Sequence, residues 1–246
     1  MKLLAGKRVL ITGGSRGLGR ELCLRFAEHG ASIGFSYNRN IDAARKLEAE
    51  LAQLGASFRS YQCSVLDTDG TQRMVKDLEE QLGPLDILVN NAGISQNLPL
   101  ALLEEEDFDR VMDTNVKGTY LTTRAVVRSM MRRKAGVILN MGSLAGVRMI
   151  EAPIHYCASK AAVVGLTEAL AKELARHQIR VLCMAPGLLE DGVGRNLPEH
   201  RLKDYLHHCA LGRVGTFREI AEACAFMVSD LNGYMTGATV IADGGV

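Results

Sequence analysis

Short apolar runs alternate with longer stretches of helical periodicity from the start of the chain to about residue 185. That alternation predicts a parallel sheet covered on both faces, because strands buried on both sides are apolar throughout while covering helices are apolar on one face only. Seven segments read as strands: 8–12, 32–37, 58–63, 87–90, 137–141, 180–184 and 239–242. Between the second and third, Ala44, Leu47, Leu51 and Leu54 recur at helical spacing and Gly55 follows as a stop. A second long helix is predicted over 156–177, with Val163, Leu166, Leu170 and Leu174 on one face, and another over 104–134. The expected fold class is α/β, a doubly wound parallel sheet of seven strands in a single domain spanning 1–246. The periodicity breaks at about 188–211, where Gly192, Gly194 and Pro198 precede the polar piece 199–208. A stretch of that length reads as an excursion over the substrate side, or alternatively as a solvated helical hairpin.

Composition agrees with an ordinary globular protein and narrows the partners. Hydrophobic residues make up 47% and charged residues 23% of 246 positions, which excludes a disordered or fibrous chain. Twenty-nine basic against 28 acidic residues leave a formal net charge of +1, so no global field draws a nucleic acid. The six cysteines, at 23, 63, 157, 183, 209 and 224, form no C-x-x-C pair or zinc-ligand cluster and are expected reduced, with no metal bound. With Lys2 and Lys7 among the first seven residues, no room for the apolar core of a signal peptide is expected, and no stretch is long and apolar enough to cross a membrane. The expected compartment is the cytoplasm.

Directly after the first strand comes Gly13-Gly14-Ser15-Arg16-Gly17-Leu18-Gly19, leading into a helix. Glycines let the backbone turn tightly and let a diphosphate approach main-chain N–H groups, and the helix N-terminus adds about half a positive charge. A purely structural strand-to-helix turn also accepts glycine; the position at the first βα turn of a βαβ unit favours the diphosphate. Dinucleotide sites often carry an acid at the end of the second strand to hold the adenosine ribose. Here that end reads Tyr37-Asn38-Arg39, and Arg16 projects from the glycine turn toward the same region. Guanidinium groups without a carboxylate suit a ribose 2′-phosphate, which predicts NADP(H) over NAD(H). Solvated surface charges are the alternative for both arginines.

Tyr156 and Lys160 stand four apart at the start of a predicted helix and so share a face. A neighbouring ammonium stabilises phenolate, so Lys160 is expected to lower the pKa of Tyr156. Ser143 follows the strand 137–141 at the edge where ligands bind in parallel sheets. Its hydroxyl and that of Tyr156 could share one carbonyl oxygen, the serine by hydrogen bond and the tyrosine by proton transfer. In isolation a Y-x-x-x-K pair is common on exposed helices, and a Ser at a strand end is often a turn residue.

The glycine turn, Asn90-Asn91-Ala92-Gly93, Asn115, Ser143, Tyr156 with Lys160, and Pro186-Gly187 occur together and in order, so the chain resembles the single-domain short-chain dehydrogenase/reductases along essentially its whole length. The resemblance implies a Rossmann-type fold and catalytic roles for Ser143, Tyr156 and Lys160, with Asn115 holding a water that links the lysine to solvent. It implies that Asn91, Ala92 and Gly93 pass beside the adenine ribose and that Pro186 and Gly187 lie under the nicotinamide carboxamide. Gly13, Ser15, Arg16, Gly17, Leu18, Gly19, Arg39, Ser64, Val65, Leu189, Tyr156 and Lys160 complete the expected cofactor-binding set. Two positions depart from the family pattern. Ser64 stands where an Asp commonly meets the adenine, and Asp191 is nearest the place of a Thr that contacts the cofactor amide. Asp191 is expected to face solvent or Arg195, since an acid beside a diphosphate is unfavourable.

Within the family the chain looks most like the 3-oxoacyl-(acyl-carrier-protein) reductases, through Thr12–Arg20, Ala158-Ser159-Lys160 and Leu211-Gly212-Arg213-Val214-Gly215. That resemblance implies reduction of a 3-ketoacyl thioester in fatty-acid or polyketide-type synthesis. It also implies docking of an acidic acyl carrier protein at Lys134 and Lys172, with Arg132 and Arg133 adjacent, and a homotetramer. A helix end whose cations complement the dipole is an equal reading of 132–134. An NADP-dependent dehydrogenase of a sugar, steroid or other small alcohol is the second reading. A catalytically silent cofactor-binding scaffold is the third, opposed by the intact Ser143, Tyr156, Lys160 and Asn115.

Overall fold

The computed structural model describes residues 2–191 and 199–246. All seven predicted strands form, as β1 (Arg8–Ile11), β2 (Ser32–Tyr37), β3 (Phe58–Gln62), β4 (Ile87–Asn90), β5 (Gly136–Met141), β6 (Ile179–Pro186) and β7 (Thr239–Ala242). They make one sheet in the order β3-β2-β1-β4-β5-β6-β7, with every neighbouring pair parallel. The order reverses between β1 and β4, which opens a crevice at the carboxyl ends of those two strands.

Strand residues alternate between two cores, as a two-residue period requires. Val9, Ile11, Ile33, Phe35, Ile87, Val89, Leu139, Met141, Leu182 and Met184 face one layer, where they meet Leu22 and Phe26 of α1 (Gly17–Glu28), Leu47 and Leu51 of α2 (Ile41–Gln53) and Ile220 and Cys224 of α8 (Phe217–Val228). Leu10, Leu88, Ile138 and Val181 face the other, against Met74 and Leu78 of α3 (Thr68–Leu82), Val126 and Met130 of α5 (Gly118–Arg133) and Leu174 of α6 (Ile154–Leu174). Among the described residues three α-helices carry side-chain N-caps: Asn40 accepts from the Ala43 N–H, Asp67 from Gly70, and Thr216 forms a capping box with Glu219.

Two expectations change. The single helix predicted over 104–134 is instead α4 (Glu105–Met112), a π-turn (Asp113–Lys117) and α5. In that turn the Gly118 N–H reaches back five residues to the Asp113 carbonyl. The piece 199–208 forms a helix, α7 (Glu199–His208). The rest of the predicted excursion, with Gly192, Gly194, Arg195 and Pro198, lies outside the described residues.

Candidate active site

The glycine turn and the end of β4 are bolted together. Thr12 Oγ1 accepts from the N–H groups of Asn91 (3.1 Å) and Ala92 (3.0 Å), while Asn91 Nδ2 donates to the carbonyls of Thr12 (3.0 Å) and Gly13 (3.1 Å). This approach is possible only without side chains. Gly13 has φ +65° and a Cβ there would lie 2.9 Å from the Ala92 Cα, while a Cβ on Gly19 would overlap the Gly13 carbonyl. The N-terminus of α1 therefore opens at the crevice with no side-chain cap and no acid in its first turn. Free N–H groups beside a tight glycine cradle fit a dinucleotide diphosphate.

Around this cradle the expected adenosine-side residues fall into two groups. Arg16 and Arg39 are exposed, and neither makes a side-chain hydrogen bond or ion pair among the described residues. No carboxylate lies in the 37–40 stretch, and Asn40 is committed to its cap. Ser15 is buried, Leu18 packs against the first core, and Gly17 is exposed. Ser64 is half-buried, and its hydroxyl accepts from the Leu66 N–H at 3.3 Å, a local turn bond. Val65 presses on the π-turn: a Cβ on Gly118 would come within 2.5 Å of it.

The residues expected to handle the proton collect at the carboxyl end of β5. Ser143 caps a short 3-10 turn (Leu144–Gly146), its hydroxyl accepting from the Ala145 N–H at 3.2 Å. Tyr156 and Lys160 occupy the first two turns of α6, with the ammonium 5.7 Å from the phenol ring centroid. Lys160 is buried and Nζ donates to the Met141 carbonyl at 2.7 Å. Burial lowers its pKa to about 8, against an opposing contribution from Cys183. Burial likewise pushes the Tyr156 phenol up, and a hydrogen bond with Ser143 pulls it partly back. Desolvation thus disfavours the charged form of both groups, and the Lys160 amine is bonded to a main-chain carbonyl.

Asn115 sits in the π-turn, buried to 1% exposure. Its Oδ1 accepts from the Ile94 N–H (2.8 Å) and its Nδ2 donates to the Ile94 carbonyl (2.9 Å) and Ser159 Oγ (2.9 Å). With its amide so occupied, it clamps the strand-end segment containing Gly93 onto α6, and Gly93 fits closely beside Asn115 and Lys160. Behind it a buried chain of polar side chains runs from Thr123 through Asn90 and Asn140 to Thr167.

On the substrate side, Pro186 ends β6, and the Gly187 N–H returns to the Ala242 carbonyl (2.9 Å). Leu189 turns its side chain to the first core beside Gly215. Asp191 is exposed, and Arg195, offered as its partner, lies outside the described residues. Lys134 and Lys172 are both exposed, Lys134 as the left-handed cap of α5. Arg133 is drawn away from that patch by Asp86 and the Leu85 carbonyl. Sequence reasoning missed Thr12, Ser159 and the Met141 carbonyl. The first two lie inside segments that carry the family resemblance, Thr12–Arg20 and Ala158–Lys160, but had no role there, and a main-chain acceptor carries no sequence signal.

The model of the short chain dehydrogenase family matches residues 7–202. A 3-oxoacyl-[acyl-carrier-protein] reductase FabG of Thermotoga maritima is 38% identical over 245 residues, covering 99% of this chain and 98% of the relative, and that of Chlamydia muridarum is 35% identical with the same coverage. Among solved structures, a short-chain type dehydrogenase/reductase from Mycobacterium marinum superposes with a TM-score of 0.90 at 36% identity, covering 99% of this chain and 96% of that one. A 3-oxoacyl-[acyl-carrier protein] reductase from Brucella melitensis gives 0.93 at 30% identity, covering 100% and 92%.

Proposed function

The chain belongs to the short-chain dehydrogenase/reductase family of oxidoreductases, and we propose that within it the protein is an NADPH-dependent reductase of 3-oxoacyl thioesters carried by acyl carrier protein. The observation that carries the chemistry is the meeting of Ser143, Tyr156 and Lys160 at the carboxyl edge of β5, beside the glycine cradle. Gly13, Gly17, Gly19 and the open end of α1 would hold the diphosphate, with Asn91, Ala92, Gly93, Ser64 and Val65 along the adenosine and Pro186, Gly187 and Leu189 at the nicotinamide end. Arg16 and Arg39 would hold a 2′-phosphate, a role supported by their exposure and by the absence of a carboxylate in the 37–40 stretch.

A bound reduced nicotinamide supplies hydride to the carbonyl carbon. Ser143 orients the carbonyl oxygen by hydrogen bond, and Tyr156 gives that oxygen its proton. The raised pKa of Tyr156 keeps the phenol protonated near neutrality, the state a donor needs before the reaction. As the phenolate forms, the Lys160 ammonium is the positive charge at hand to stabilise it, and the family resemblance implies that Asn115 holds a water for proton resupply.

Names of full-length relatives support the carrier-bound substrate, and the exposed Lys134 and Lys172 suit an acidic carrier. We place the enzyme in the cytoplasm as a homotetramer. The apolar groove among Met112, Val116, Tyr120 and Leu166 and the exposed Leu231 and Tyr234 are suited to subunit contacts. Among the described residues no helix is long and apolar enough to cross a membrane. NADPH oxidation followed by absorbance with free and carrier-bound 3-oxoacyl thioesters tests the substrate. Turnover on thioesters is expected, with a lower KM for the carrier-bound form. Absence of turnover on every thioester, with turnover of a small ketone or sugar, would overturn it.

A further inference from the structure

Tyr205 has no part in the machinery described so far, yet one phenol oxygen joins three chain segments. It projects from α7, accepts a hydrogen bond from the Leu188 N–H (2.9 Å) and donates one to the Asp243 carbonyl (3.3 Å). Leu188 follows the end of β6 and Asp243 the end of β7, strands that lie side by side. At such ends the ladder stops, and backbone donors and acceptors need other partners. A hydroxyl satisfies one of each at once, which neither an ammonium nor a carboxylate can do. Gly187 lies directly against the phenol, where a Cβ would overlap its oxygen.

The knot is continued by neighbours. The Gly187 N–H bonds the Ala242 carbonyl (2.9 Å), the Gly215 N–H bonds the Leu188 carbonyl (3.0 Å), and the Leu211 N–H bonds the Gly244 carbonyl (3.0 Å). Cys209, just past α7, directs its thiol at the carbonyls of Arg213 (3.4 Å) and Gly244 (3.4 Å). At the other end of α7, Arg201 pairs with Glu151, in the segment between Ser143 and Tyr156. Thus α7 is tied to both sides of the cleft, and among the described residues the tie from within the helix to the Leu188 and Asp243 backbone runs through the Tyr205 oxygen.

We propose that Tyr205 is a positioning residue whose hydroxyl sets the Pro186–Leu188 turn and thereby the nicotinamide end of the cofactor cleft. This rests on the reading of Pro186 and Gly187 as the nicotinamide loop, but not on the identity of the substrate. A turn already fixed by the phenol needs less ordering when a dinucleotide binds, so losing the hydroxyl weakens binding without removing any contact to the ligand.

The test is Tyr205→Phe, which keeps the ring and deletes one oxygen, read by amide hydrogen exchange and by nicotinamide fluorescence. In the unaltered protein the Leu188 amide is expected to exchange slowly; fast exchange there overturns the proposal without any variant. In Tyr205→Phe that amide should exchange about fivefold to tenfold faster, the loss expected for one hydrogen bond. The Kd for NADPH and for NADH should rise together by a similar factor. Arg201→Ala, which frees the other end of α7, should leave both readouts within about twofold. Unchanged exchange and unchanged Kd in Tyr205→Phe, or an equal effect in Arg201→Ala, would overturn the proposal. A thioester panel without turnover would count against the substrate reading and leave these measurements standing.

Discussion

On the β5–α6 side of the cleft Lys160 and Asn115 are buried and bonded, whereas Arg16 in the glycine turn and Arg39 past the end of β2 stand exposed with no partner among the described residues. Lys160 and Asn115 are 6% and 1% exposed and spend their donors on named partners, while Arg16 and Arg39 hold none among the described residues. On the proposed function, the difference follows from what each side would handle. A proton must be delivered along a fixed direction, which favours groups held by packing and hydrogen bonds before the ligand arrives. A phosphate is recognised by charge, and a guanidinium buried without a partner would be costly, so it stays hydrated until its anion is present.

The sharpest way to break this contrast is Tyr156→Phe. Turnover should fall by about a thousandfold, within the range for losing a general acid, while the Kd for NADPH stays within about twofold. A comparable loss of binding would mean that the two sides are not separate. Next in size, the double change Arg16→Ala with Arg39→Ala should raise the KM for NADPH by about 30-fold and that for NADH by about twofold or less, as expected for charge-assisted bonds to a phosphate. Equal effects on both dinucleotides would remove the 2′-phosphate reading.

Thr12→Val addresses the junction between the two sides. It leaves the Asn91 and Ala92 N–H groups without their acceptor and should cost about 1.5 kcal/mol, a fall of roughly 3–6 °C in Tm for a chain of this size. An unchanged melting curve would show that the bolt is not needed for stability. The pH profile is a smaller probe. Burial holds the Lys160 ammonium at about 8, so kcat/KM for ketone reduction should be level below that value and drop toward a tenth by about pH 9. A profile flat to pH 10 would separate Lys160 from the proton path.

The smallest effect concerns His155, fully buried beside Tyr156 with neither ring nitrogen bonded. Burial lowers its pKa, with Asp107 of α4 opposing the shift and Arg110 adding to it. The unfolded chain then binds the extra proton near the ordinary value of 6.5, so stability is full above that pH and declines as pH falls below it. Denaturant midpoints at pH 7.5 and 5.5 should differ by less in His155→Asn than in the unaltered protein.

Legibility in the sequence followed how locally each feature is encoded. The seven strands emerge within two residues of their predicted ends because short apolar runs and the turn residues that flank them are local signals. Ser143, Tyr156 and Lys160 could be brought together on paper because each sits at a fixed distance from a strand end or helix start. The split between α4 and α5 was hidden, since an extra backbone residue leaves the apolar pattern nearly continuous. The bond from Lys160 to the Met141 carbonyl was hidden because every residue offers a carbonyl. Arg133 read as part of a basic patch, but its partner Asp86 lies 47 positions away in sequence and only the fold brings it near.

The π-turn constrains how the protein can change length. Deleting any one residue from 113–117 would restore ordinary helical winding; because the wide turn takes up one residue more than an α-turn, α5 would keep its facing while the side chains within the turn were re-aimed. Asn115 would then swing away from Ile94 and Ser159, although no side chain in the cleft had been substituted. Insertions and deletions can therefore be absorbed by surface loops, while this stretch must keep its residue count for descendants to inherit a working enzyme.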